Sequence, residues 1–160
     1  MKNKAELVLQ SSLGTELSPE EADTLSNIMD SREILDGEFL INEGAVADDS
    51  LHVLLEGKLE VVKHTGADGL ASLAILREGD LAGALSFIDS ELHTVGLRAL
   101  CASRVLRLTR DDFEGIVDKN PQLVYKVMRA IVRSAHRTVH RMNDEVIELS
   151  NYIFKQHGRY

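Results

Sequence analysis

Between Glu33 and Thr109 short runs of Ile, Leu and Val alternate with glycine-containing turns, and no helical period persists across them. The turns fall at Asp36-Gly37, Glu43-Gly44, Glu56-Gly57, Thr65–Gly69 and Glu78-Gly79-Asp80. The runs between them are Ile34-Leu35, Phe39–Ile41, Leu51–Leu55, Lys58–His64 and Leu70–Leu76, and Leu97–Leu108 supplies two more. Strands this short and this frequent predict a small antiparallel barrel or roll. Glu56-Gly57 reads as a tight hairpin turn into Lys58–His64, and Thr65–Gly69 as a looser hairpin tip. Leu81–Thr94 breaks the strand pattern with a glycine-containing turn and a helical turn.

Helical signals flank this region. Ser18-Pro19-Glu20-Glu21 is a capping box: Ser18 accepts from the first free N–H groups, Pro19 needs no partner at the first helical position, and Glu21 reaches back. Ala22, Leu25, Ile28 and Met29 then mark one face, and Ala5–Gln10 can add a turn or two before it. Thr109 or Asp111 can cap a short helix through Phe113, Ile116 and Val117. From Pro121 to about Phe154 neither glycine nor proline intervenes, which predicts one long helix. Val124, Met128, Ile131, Ala135, Thr138, Met142, Leu149 and Ile153 recur mostly at steps of four and three, as in a coiled-coil seam, widened by Val127, Val132, Val139 and Val146. The first half of that seam can pack on the roll. The rest has nothing in this chain to cover it, which predicts a homodimer through Met128, Ile131, Ala135, Thr138, Met142 and Leu149. Residues 1–120 are read as the roll with its N-terminal helix, and 121–157 as the dimerisation helix of the same domain.

Charge narrows the function. The 160 residues carry a net charge of −8, but it is uneven. Residues 121–160 hold seven basic side chains (Lys126, Arg129, Arg133, Arg137, Arg141, Lys155, Arg159) and three acidic ones, a local +4 that leaves −12 on the body. An acidic body argues against nucleic acid. Arg129, Arg133, Arg137 and Arg141 form a slowly drifting stripe, either a solvated outer face or a contact with the acidic body. The single cysteine, Cys101, closes no intrachain disulfide, which fits a cytoplasmic compartment, and its apolar neighbours suggest a small buried residue. No apolar run approaches the roughly 18 residues of a membrane span. Enzyme readings find no support: there is no His-x-His pair, no Gly-x-Ser-x-Gly and no phosphate-cradling glycine loop with lysine. Asp48-Asp49 and Asp111-Asp112 sit where turns and caps account for them.

The order of elements resembles a cyclic nucleotide-binding domain of the catabolite-activator type. The residues that carry the resemblance are Gly37-Glu38, Glu43-Gly44 with Asp48, Leu54–Val61, Gly79-Asp80 with Gly83, Arg98-Ala99 and Arg110-Asp111-Asp112-Phe113. It implies a mainly β fold with flanking helices: an antiparallel β-roll (a double-stranded β-helix, or jelly roll) plus a long C-terminal dimerisation helix. It also implies a ligand cassette in which a glutamate holds the ribose hydroxyl and an arginine pairs with the cyclic phosphate, a fork of donors well suited to that anion. Here Gly79, Asp80 and Gly83 match. The aromatic is Ala82, the ribose glutamate is Ala84, and the phosphate arginine is His93. Each lost charged partner costs about 1.5–3 kcal/mol. Together they weaken cyclic nucleotide binding by about two to four orders of magnitude.

The candidate ligand-binding residues are Gly83, Ala84, Leu85, His93, Thr94, Arg98 and Thr138. Protonated His93 can face a phosphate, Arg98 can swing in as a substitute, and some family members place a threonine against the base where Thr138 falls. Three readings stay open. The first is a sensor for a small molecule other than cAMP. The second is a cAMP or cGMP receptor working through His93 and Thr138. The third is a ligand-free dimeric scaffold for a protein partner, which a pocket filled by Leu85, Phe87 or Leu92 would favour. No cofactor is expected. Haem-binding and cluster-binding regulators share this fold, but one cysteine cannot hold an iron–sulfur cluster, and nothing selects among His52, His64 and His93 for haem. His136 and His140, four apart on the helix, lack a third metal ligand beside them. No helix-turn-helix follows the long helix within the 160 residues, so direct DNA binding is not expected.

Overall fold

The computed structural model describes residues 2–46 and 48–158; Arg159, counted above in the basic tail, lies outside them. Two helices open the chain, α1 (Lys4–Gln10) and α2 (Pro19–Asn27). Both begin with complete capping boxes, Asn3 with Glu6 and Ser18 with Glu21. Strands β1 (Asp30–Ile34), β2 (Phe39–Ile41), β3 (Ser50–Glu56), β4 (Leu59–His64), β5 (Leu70–Leu76) and β6 (Leu81–Ala82) follow. Then come α3 (Ala84–Asp89), β7 (Gly96–Ala99), β8 (Ser103–Thr109), α4 (Arg110–Glu114) and α5 (Pro121–His157). Thr109 caps α4 through the Asp112 N–H, and the helix ends before Ile116 and Val117.

The strands form two four-stranded antiparallel sheets, β1-β8-β3-β6 and β2-β7-β4-β5, which face each other as a roll. Alternation along β3 divides the interior. Leu51, Val53 and Leu55 join the larger core with Leu106, Leu108, Phe113 and the helical residues Leu25, Leu123, Val127 and Ile131. Leu54 points the other way, into the roll, with Ile34, Leu59, Leu97 and Val105.

The sheet order corrects the expected hairpin at Glu56-Gly57. β3 pairs with β8 and β6, whereas β4 pairs with β5 and β7, so this turn carries the chain from one sheet to the other. The corner is tight. Gly57 has φ +95, and a Cβ there would lie 2.9 Å from the Ala102 carbonyl oxygen and 2.8 Å from the Ser103 Cβ. Only glycine fits that backbone and that approach. The Thr65–Gly69 tip is a true hairpin, closed by a 3.0 Å bond from the Thr65 N–H to the Gly69 carbonyl, with Leu59 opposite Leu76.

α5 is docked at one end only. Leu123, Val127, Ala130 and Ile131 are buried in the larger core. Lys126 bonds Glu21 at 2.8 and 2.9 Å, and Arg129 and Arg133 pair with Glu16 at 3.3 and 3.0 Å. These surface pairs add little stability but fix the helix on the acidic N-terminal layer. Ile131, expected at the dimer seam, is therefore an internal core residue at 2 % exposure, and Met128 packs partly on the same core. The reason is length: the body reaches this far along the helix and covers that face. From Val132 onward the seam is exposed: Ala135, Thr138, Val139, Met142, Val146, Leu149 and Ile153 all face solvent. Cys101 is exposed as well, because Leu100–Ala102 forms the turn between β7 and β8. Among the described residues no helix is long and apolar enough to cross a membrane.

Candidate functional site

The site is organised around the passage from β6 into α3. β6 pairs with the middle of β3, His52 opposite Ala82 and Val53 opposite Leu81. The chain then turns at Gly83, φ +77, where a Cβ would lie 2.8 Å from the Ser50 carbonyl oxygen. That approach and that φ together require glycine. α3 is fixed from behind. Phe87 packs on Phe113 with ring centroids 5.4 Å apart. Arg110 donates to the Phe87 and Ser86 carbonyls at 2.7 and 2.9 Å and also reaches Ser90 Oγ. The Arg110–Phe113 segment thus clamps the short helix at its C-terminal end, where the Ser86 carbonyl also accepts the Ser90 N–H at 3.0 Å.

The residues singled out from sequence are placed as follows. Gly83 begins the bend, and Ala84 is half-buried against the larger core. Leu85 is 70 % exposed and Leu92 58 %, so neither fills a pocket, and Phe87 is committed to Phe113. His93 is half-buried; its backbone N–H donates to the Ala45 carbonyl, and its carbonyl accepts from Gly44 at 2.7 Å. Thr94 is exposed, its carbonyl taken by Lys63 at 2.9 Å. Arg98 does not swing in. On β7 it alternates with Leu97 and Ala99, which face the roll interior, and so it projects outward. There it bonds Glu60 at 2.7 Å across the strand pair and lies 5.9 Å above the Phe39 ring. That bond holds the Glu60 carboxyl below its usual range. Thr138 is on α5, exposed, its hydroxyl donating to the Ser134 carbonyl at 3.1 Å.

Two features go beyond the ligand-binding residues singled out from sequence, a reading in which His52 is only one of three histidines for haem. The first is His52. It is 1 % exposed, neither ring nitrogen has a hydrogen-bond partner, and its Nδ1 would lie 3.6 Å from a Cβ at Gly83. Burial pushes its pKa down to about 4, opposed by Asp48 and assisted by Arg107, Arg32 and His93, so the imidazole is neutral near pH ~7. The available signal was a lone titratable residue inside the apolar run Ser50–Leu55. The second is a cleft of about 250 Å³ between the roll and α5, lined by Leu76, Asp80, Leu81, Ser134, Arg137, Thr138 and Arg141. It includes Thr138 but none of Gly83, Ala84, Leu85, His93, Thr94 or Arg98. Spacings of three, one and three put its four helical residues on one face of α5. The sequence showed the arginines as a stripe, but the opposing wall exists only after folding.

The geometry does not fit a cyclic nucleotide held in the way the resemblance implies. No carboxylate stands at Ala84, and the Arg98 guanidinium is engaged on the outer face of the sheet. Among the described residues no group of three or more His, Cys, Asp or Glu side chains is arranged to hold a metal ion.

Comparison with known proteins agrees with this architecture. A family profile described as "Cyclic nucleotide-binding domain" matches residues 31–120. A cyclic nucleotide-binding domain from Methylobacillus flagellatus KT superposes with a TM-score of 0.80 at 23 % identity, covering 91 % of this chain and 81 % of that one. The catabolite activator protein of Thermus thermophilus gives 0.73 at 24 % identity, covering 88 % of this chain and 63 % of that one. Neuropathy target esterase sws of Drosophila melanogaster is 28 % identical over 120 residues; these are 71 % of this chain but 8 % of the esterase.

Proposed function

The chain belongs to the cyclic nucleotide-binding domain family, and from that premise we propose that it is a regulatory sensor module whose ligand is a small molecule other than a cyclic nucleotide. The observation that carries this reading is the state of the cassette. The two positions expected to anchor ribose and phosphate are a methyl group, Ala84, and a loop histidine, His93, while Arg98 is bound to Glu60 outside the roll. At about 1.5–3 kcal/mol for each lost charged partner, cyclic nucleotides bind two to four orders of magnitude more weakly than to a charged cassette. A cleft persists beside the cassette, which supports a ligand-responsive module over an inert scaffold. The part played here is regulatory rather than catalytic. The esterase relationship concerns 8 % of that enzyme's length.

The sensor works as a homodimer in this proposal. The exposed stretch Val132–Phe154 gives two copies an apolar seam, and pairing along it places each cleft beside the helix pair. Thermal unfolding with and without millimolar cAMP, cGMP and c-di-GMP, at pH ~6 and pH ~8, tests the ligand reading. The expected result is no shift at either pH. A rise of several degrees with one cyclic nucleotide, larger at the lower pH, would instead establish a receptor working through protonated His93.

A further inference from the structure

The sensor reading leaves the ligand's chemistry open, and the inference that follows rests on that reading: we propose that the cleft between α5 and the roll is an anion-recognition site. Arg137 and Arg141 hold a phosphate or carboxylate group of a small molecule whose uncharged part rests on Leu76 and Leu81.

The observations are these. The arginine stripe on α5 divides in two. Arg129 and Arg133 are consumed by Glu16, at 3.3 and 3.0 Å. Arg137 and Arg141 line the cleft, and among the described residues neither pairs with a carboxylate, although Asp80 stands on the opposite wall. The Asp80 carboxylate accepts the Arg77 backbone N–H at 2.8 Å instead. Two arginines on one helix face, one turn apart, line the same volume, and forked guanidinium donors suit a planar carboxylate or a phosphate. Leu81 is buried and Leu76 half-buried, which supplies an apolar floor. The volume, about 250 Å³, lies below the usual range for drug-sized ligands and selects a compact molecule. Asp80 adds a selection rule: a ligand carrying an amine or hydroxyl opposite its anionic group gains a hydrogen bond there, and a polyanion is repelled. Because the body carries −12, recognition depends on short-range contact inside the cleft rather than on long-range attraction.

Isothermal titration of the full chain at constant ionic strength tests this, with inorganic phosphate, pyrophosphate and citrate as probes. The variants are R137Q/R141Q, Asp80→Asn and, as a charge control on the same helix, Lys155→Gln. Arg137 and Arg141 are exposed, so their double variant keeps the native circular dichroism and thermal midpoint. Saturable binding of at least one probe is expected, weakened about 10-fold or more in R137Q/R141Q, strengthened several-fold in D80N and unchanged in K155Q. D80N reports on the cleft without touching either arginine. Equal binding by wild type and R137Q/R141Q would overturn the proposal, as would the absence of saturable binding up to about 10 mM. A parallel thermal-shift series with uncharged nucleosides separates the two levels. A shift there without anion binding removes the anion site and leaves the sensor reading standing; no response to either class removes both.

Discussion

Two neighbouring surfaces, the bend from β6 into α3 and the α5 side of the cleft, bear on ligand binding in this fold, and they differ in kind. We call them the roll wall and the α5 wall, although the bend does not line the cleft. The roll wall is built from Gly83, Ala84 and the neutral, buried imidazole of His52. The α5 wall carries two guanidiniums and a threonine hydroxyl. The bend of the roll thus carries no charged anchor, while the positive charge stands on the helix, facing Asp80 across the cleft. The glycine bend and the Arg110 clamp hold α3 in place whether or not α3 bears a charge. Anchoring chemistry and fold are therefore separable here, and in the proposed reading the wall that carries the guanidiniums selects the ligand.

The largest test restores charge to the roll wall. The double substitution A84E/H93R, at the start of α3 and in the loop before β7, should raise cAMP affinity by about two to four orders of magnitude by titration calorimetry. No gain would mean that the bend does not aim those positions at a nucleotide, and the contrast between the walls would lose its meaning.

A second test probes the neutrality of the roll wall. The His52 pKa is about 4 in the folded chain against about 6.5 in an unfolded one, so the unfolded state binds more protons between those values. Stability should therefore fall as pH drops from about 6.5 to about 4, by roughly 3 kcal/mol at 1.36 kcal/mol per unit, and level off below that window. His52→Phe should remove this component of the pH dependence in urea titrations. An unchanged profile would place His52 in contact with water or with a partner.

Smaller effects follow. Ser18→Ala removes the α2 cap and should cost about 1 kcal/mol by chemical denaturation without altering any ligand response, since no α2 residue lines the cleft. Arg98→Gln should leave ligand responses unchanged, because Arg98 is spent on Glu60; a change in binding would bring Arg98 back to the roll wall.

Much of the fold was legible because local chemistry decided it. Ser18-Pro19-Glu20-Glu21 started α2, Thr109 capped α4, Pro121 opened α5, and β5 ran from Leu70 to Leu76 as its alternating turns implied. The Glu56-Gly57 corner was not legible. A tight glycine turn looks the same whether it joins neighbours in one sheet or crosses between sheets, and that choice depends on distant pairing with β8. Nothing in the sequence separated His52 from His64 and His93, because β3 is buried on both faces and shows no alternation to mark the inward positions. Arg137 and Arg141 could be read as a stripe, but not as a wall, until β5 and β6 stood opposite. The sequence placed Ala84 in the cassette through Gly79, Asp80 and Gly83, and His93 through its spacing from Arg98-Ala99-Leu100.

Equilibrium dialysis of labelled cAMP against the wild-type chain tests the central claim most directly, namely that the roll wall no longer anchors a cyclic nucleotide. The account predicts no saturation below about 1 mM. Saturable binding in the micromolar range or tighter would contradict it and return the protein to the cyclic nucleotide receptors.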